Sequence, residues 1–150
     1  MTDLAEPLNK TLRDFIVSKW SISNPGINDI RFKLDYYDGY GDYQIHFQIP
    51  NSNVRAFMLG LGYREYQELV KIFIFVRQNV NEEPVERDNI KREIQRIISD
   101  NNRSMLLAGA TIPNSYIQIV NMTNSNKTSE NVWESSITVK VSYWKVITIL

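Results

Sequence analysis

The chain has 150 residues, 43% of them hydrophobic, which suits one domain with a packed core spanning 1–150. Its 17 basic and 17 acidic side chains cancel, which argues against general nucleic-acid wrapping and removes the self-repulsion that opposes self-association. The absence of cysteine excludes disulfides, thiolate metal sites and cysteine nucleophiles. The opening MTDLAEPLNK has acids and a proline before any apolar run, unlike a secretory leader, and no apolar stretch approaches a membrane span. These features predict a soluble intracellular protein with no membrane partner.

Leu4, Leu8, Leu12, Phe15 and Ile16 recur at steps of three and four, with Trp20 closing the stripe, so residues 4–20 read as a helix. Pro7 is tolerated only in a first turn, which places the start near Glu6. Pro25-Gly26 then marks a turn. Ile30, Phe32, Leu34 and Tyr36 alternate with polar residues, as do Tyr43, Ile45, Phe47 and Ile49, and both runs read as half-buried strands. The glycine-containing stretch between them predicts a β-hairpin.

That stretch, DYYDGYGDY at residues 35–43, holds three acids, two glycines and four tyrosines. Its acids, Asp35, Asp38 and Asp42, lack the spacing and the final glutamate of a calcium loop, so it reads as turn chemistry without a metal. Tyr36 and Tyr43 share the apolar parity of their strands, whereas Tyr37 and Tyr40 do not. Exposed tyrosines beside acids repel phosphate but suit protein contact, so this tip is a candidate interface.

Residues 50–64, PNSNVRAFMLGLGYR, read as a loop with a short apolar strand around Phe57 to Leu59. GLGYRE lacks both the Gly-Lys-Ser/Thr ending of a phosphate loop and the third glycine of a dinucleotide fingerprint. Arg55, Arg64 and Lys71 with Phe57, Tyr63 and Tyr66 give a basic and aromatic mix, interrupted by Glu65 and Glu68. From Tyr66 the run is apolar on both parities, with Val70, Ile72, Ile74 and Val76 on one and Leu69, Phe73 and Phe75 on the other. This predicts a central strand covered on both faces.

Pro84 and the surrounding acids suit the first turn of a second helix, whose stripe is Val85, Ile90, Ile94, Ile97 and Ile98. Its charges, Glu86, Arg87, Asp88, Lys91, Arg92, Glu93 and Arg96, read as a solvated face or the rim of a subunit contact. Tyr116 to Met122 and Trp133 to Ile149 then alternate as a terminal strand pair around the polar NSNKTSEN. The fold class is α+β: a mainly antiparallel sheet with two helices packed on one face. His46, the single histidine, lies on the polar parity of its strand, and no nucleophile elbow accompanies it. No catalytic residue, metal site or cofactor is expected.

The run LVKIFIFVRQNVNEEPVERDNIKREIQRIIS, followed by YIQIVNMT and NVWESSITVKVSYWKV, resembles the tail terminator and head-tail neck proteins of tailed viruses. The likeness covers nearly the whole chain, except the loop at 50–64. It implies a virion protein, assembled in the host cytoplasm, that forms a ring, typically hexameric, terminating the tail tube and joining it to the neck. The implied partners are other copies of the chain, tail tube and neck proteins, and DNA passing through the channel without sequence recognition. On this reading Tyr37 and Tyr40 on one side and Phe57, Leu59 and Tyr63 on the other form the subunit interface, and Arg31 and Lys33 face the channel. The alternatives are a stand-alone nucleic-acid-binding α+β module and a small hydrolase using His46.

Overall fold

In the computed structural model, residues 6–34, 42–49, 55–58, 63–77, 85–107, 112–125 and 132–146 are described. Helix α1 spans Leu8–Lys19, beginning after Pro7 and so later than the periodicity suggests. Its buried stripe is Leu8, Leu12 and Ile16. Trp20 leaves the helix in an extended conformation and packs edge-on against Phe32, with ring centroids 5.5 Å apart. A 3-10 turn at Ile27–Asp29 leads into strand β1, Ile30–Lys33.

Strands β2 (Tyr43–Gln48), β3 (Arg55–Met58), β4 (Tyr63–Arg77), β5 (Ile112–Ser125) and β6 (Val132–Val146) complete a six-stranded sheet. Its order is β1-β2-β4-β6-β5, with β3 pairing β4 beyond the end of β2. All pairs are antiparallel except one. Strands β1 and β2 pair in parallel, Ile30 with Tyr43 through Lys33 with His46, which corrects the hairpin expected there. Alternation fixes which side of a strand is apolar but not which way its neighbour runs, so both pairings satisfy the same pattern. The short strand expected around Phe57 to Leu59 is β3, which pairs antiparallel with β4, Met58 opposite Arg64.

β4 and β6 form the spine. Each has 15 residues, in unbroken register from Tyr63 opposite Val146 to Arg77 opposite Val132. At roughly 3.4 Å per residue this ribbon is about 50 Å long. Register also fixes the faces. Ile45, Ile74 and Ser135 lie in one row, and Phe47, Ile72 and Ile137 in the next. These rows meet helix α2 (Val85–Asp100), which lies over β4, β5 and β6, and α1, which lies over β1 and β2. Ile72, Ile74, Ile94 and Ile97 are all completely buried in this one core. Burying each such side chain stabilises by roughly 1.5–3 kcal/mol.

The α+β class with both helices on one face is therefore borne out. The expectation that β4 is covered is met on its helix side. Lys71, Phe73 and Phe75 are half-buried and Arg77 is exposed, and among the described residues no helix lies over them. Phe73 and Phe75 pack there with His46, which is buried with Gln44 on the same side. Two smaller corrections concern α2 and β5. Val85, assigned to the core stripe, is 50% exposed. β5 begins at Ile112, before Pro113, with a register shift between Ile112 and Tyr116 that accommodates the proline.

Candidate assembly interface

The helix-free face of the sheet is the first surface to consider. Register places Arg31, Gln44, Phe75 and Glu134 in one row across it, and Lys33, His46, Phe73 and Ser136 in the next. The centre of this face is aromatic. Phe73 and Phe75 stack with centroids 6.4 Å apart, His46 meets Phe75 edge-on at 5.0 Å, and the Lys71 ammonium sits 5.1 Å from the Phe73 ring. Cations outnumber acids here, with Arg31, Lys33, Lys71, Arg77 and Lys140 against Glu65 and Glu134. Among the described strand residues a neutral chain thus shows a local positive excess on one side of its sheet.

His46 is completely buried, and its Nε2 lies 2.9 Å from the Gln44 side-chain oxygen. Its strand parity alone suggests solvent. Held inside the protein beside a neutral amide, it lacks the access to substrate that a hydrolytic triad requires. Among the described residues no group of histidines and acids could hold a metal ion.

The sheet edges form the second surface. Among the described residues β1, β3 and β5 each pair on one side only. The outer rim of β5 is divided. Its first half is closed by residues 102–107: Leu106 bridges Asn114, the Ser115 amide donates to the Met105 carbonyl at 3.0 Å, and the Ile117 amide donates to the Asn102 carbonyl at 2.8 Å. A cleft of about 400 Å³ lies between β5 and α2, lined by Ile98, Ser99, Asn102, Tyr116, Gln118 and Ile119 among others. A second register shift falls between Ile119 and Asn121, and Val120 at that point is 46% exposed.

Charges on α2 do more than solvate it. Glu93 is 3% exposed. Its Oε2 accepts from the Ser21 amide at 2.7 Å, the Ser21 hydroxyl at 3.1 Å and the Ile22 amide at 3.2 Å, while Oε1 accepts from Arg96 Nε at 2.6 Å. Arg96 in turn donates to the Lys19 carbonyl at the end of α1, 3.1 Å away. Burial alone would raise the Glu93 carboxyl. The hydrogen bonds from Arg96 and Ser21, with the Arg96 charge, outweigh it and hold the group below its ordinary value. Hydrogen bonding to Glu93 likewise raises the Arg96 guanidinium. A groove of about 610 Å³ runs beside this clip, along residues 21–24 and α2. Arg87 is also buried, its guanidinium 5.4 Å from the Trp133 ring and donating to the Glu134 carbonyl at 3.3 Å. Glu68, which seemed to interrupt a basic patch, lies on the helix side at 6% exposure and accepts a 2.6 Å bond from Tyr143 Oη.

The residues singled out in the sequence separate clearly. Arg31 is exposed and Lys33 half-buried on β1, both on the helix-free face. Phe57 stands opposite Glu65 and Tyr63 opposite Val146, at the far end of the β4–β6 ribbon. Tyr37, Tyr40 and Leu59 lie outside the described residues. Asp42, which follows the tyrosine-rich stretch, accepts from the Arg77 amide at 2.8 Å, at the opposite end of β4 from Tyr63. Tyr43 packs against the core as its parity predicts. Burial first, then the negative charges of Glu86, Asp42 and Asp29, push its phenol up.

No family model and no curated protein matches the chain. A solved structure does. A chain in the virion of the native gene transfer agent (GTA) particle superposes with a TM-score of 0.65, covering 96% of this chain and 99% of that one, at 6% sequence identity. The likeness is one of fold. It covers nearly the whole of both chains.

Proposed function

We propose that this chain is a structural protein of a tailed, virus-like particle. It acts by self-association, closing into a hexameric ring that terminates the tail tube and joins it to the neck. The observation that carries the reading is the fold likeness, over nearly the whole chain, to a chain of the gene transfer agent virion. The sheet's geometry supports it. A closed ring requires one patch of each subunit to match a different patch on the next. Asp42, which follows the stretch containing Tyr37 and Tyr40 in sequence, stands beside Arg77 at one end of β4, and Phe57, two positions before Leu59, stands opposite Glu65 toward the Tyr63 end, about 40 Å away at strand rise. Tyr37 and Tyr40 on one side, and Phe57, Leu59 and Tyr63 on the other, are our candidates for the two patches. The helix-free face, with Arg31 and Lys33, is our candidate for the channel wall, because its positive excess suits a passing polyanion without sequence readout. The protein carries out no chemistry on this reading, has no cofactor, and assembles in the host cytoplasm before residing in the virion. Its partners are copies of itself, tail tube and neck proteins, and transiting DNA.

The test is assembly without the chain. Particles made in its absence should contain filled heads and tail tubes that do not join. Joined particles with normal tails in its absence would sink the proposal.

A further inference from the structure

The groove along residues 21–24 and α2 is lined by the charged side chains Arg92, Glu93 and Arg96. Two of them are engaged within the chain. Glu93 accepts from Ser21, Ile22 and Arg96, and Arg96 also donates to the Lys19 carbonyl and the Ser21 hydroxyl. Arg92 is exposed and, among the described residues, makes no hydrogen bond, ion pair or ring contact. An acid stands one turn before it, at the spacing that favours a pair along a helix, but that acid, Asp88, is drawn to Arg87 at 3.2 Å. The groove thus keeps an uncommitted guanidinium beside Ser23, Asn24 and Asn89, none of which carries a charge.

We infer that this groove receives the end of the sheet where β3 pairs β4 in the next copy of the chain, with Arg92 facing that copy's Glu65. This rests on the ring reading and specifies one of its contacts. The first observation that selects Glu65 is which carboxylates are left over. Among the described residues Asp29, Asp42, Glu65 and Glu86 make no ion pair. Asp29, Asp42 and Glu86 all act on the Tyr43 phenol, so they gather at the Arg77 end of β4, where Tyr43 stands opposite Val76. The groove belongs to that end as well. Asn89 donates to the Asn24 carbonyl, and Arg87, two positions earlier, reaches the carbonyl of Glu134, which stands opposite Phe75. An acid from the Arg77 end would set like end against like end, whereas a ring contact joins two different surfaces. Glu65 is the remaining acid, toward the Tyr63 end of β4.

The second observation is the setting of Glu65. Opposite charges facing each other across a sheet stabilise one another, but the positions opposite Glu65 are Phe57 on β3 and Trp144 on β6. No cation of either strand stands across from it. Aromatic residues and arginine are enriched in protein contacts; here an aromatic pair brackets the acid on one surface, and an arginine stands ready on the other. An exposed ion pair adds little affinity. Its effect is on register and partner choice, because reversing one charge sets like against like.

Charge reversal is therefore the test. Particles are assembled with Arg92→Glu, Glu65→Arg or both as the sole form of this chain, after melting curves establish that each variant folds. Each single reversal should lower the yield of joined, filled particles roughly tenfold or more, and the double reversal should restore it to within about threefold of the parent. Where a reversed variant does not fold, Arg92→Cys with Glu65→Cys decides instead. The chain has no native cysteine, so a short bismaleimide applied to assembled particles should give a ladder of covalent multimers that is absent from either single variant. Folded single reversals that assemble like the parent, a double reversal no better than the worse single one, or a cysteine pair that gives no ladder overturns the inference and leaves the ring. Particles with no ring of this chain overturn both.

Discussion

Glu93→Ala tests how the two helices are held together. The substitution removes the acceptor of four hydrogen bonds: the amides of Ser21 and Ile22, the Ser21 hydroxyl and the Arg96 guanidinium. Hydrogen bonds to a charged group contribute about 1.5–3 kcal/mol each. They do not sum here, because Ser21 is exposed, Ile22 half-buried and Arg96 42% exposed, so their donors turn to water. The expected loss is that of one to two such bonds, about 2–4 kcal/mol. For a chain of this size that lowers the melting temperature by roughly 4–16 °C. Glu93→Gln keeps the shape and one acceptor and should lose less. The lowered carboxyl sets the pH dependence. The stability contributed by ionised Glu93 is fully present above its ordinary value of 4.5 and disappears as pH falls through the lower folded-state value. Calorimetric melts should therefore show the parent's advantage over Glu93→Gln intact near neutral pH and shrinking in acid. A Glu93→Ala protein that melts within about a degree of the parent would refute the clip. So would a gap to Glu93→Gln that does not change with pH.

Ile94→Asp places a carboxylate in a completely buried position, and a loss of about 4 kcal/mol or more is expected in urea unfolding; a near-parental midpoint would remove Ile94 from the core. Tyr143→Phe deletes the 2.6 Å bond to buried Glu68 and should cost about 1–3 kcal/mol in the same assay. Replacing Glu68 with Gln as well should recover part of that loss, since no buried charge then remains. His46→Ala strips the Gln44 side chain of its buried partner and empties space beside Phe75, so a loss of about 1–3 kcal/mol is expected with no effect on particle assembly beyond lower stability. Equal stability in the variant would contradict a structural role for the imidazole.

Much of the fold was legible because alternation and helical spacing report burial directly. Ile45, Phe47, Ile72, Ile74, Ile137 and Val139 all fell on the helix-covered face, as their parity required. What alternation does not encode is direction, so the same pattern suits a hairpin and the parallel β1–β2 pair alike. Nor does composition reveal partners distant in sequence. Glu93 stands among charges that look like an ordinary solvated helix face, yet Ser21, 72 positions away, fixes its role. Glu68 and Arg87 repeat the lesson, each buried by a contact that local spacing does not contain. The candidate interface was less legible than the core. Exposed edges depend on strand order, and strand order appears only when the sheet is assembled.

The central claim is a ring of this chain at the end of the tail tube. Electron cryomicroscopy of the assembled particle tests it most directly. Six copies are expected around the tube axis, at the boundary with the neck, with the helix-free faces toward the lumen. Density for the chain at scattered sites, in a copy number that no ring accommodates, or outside the tail and neck altogether, would contradict it.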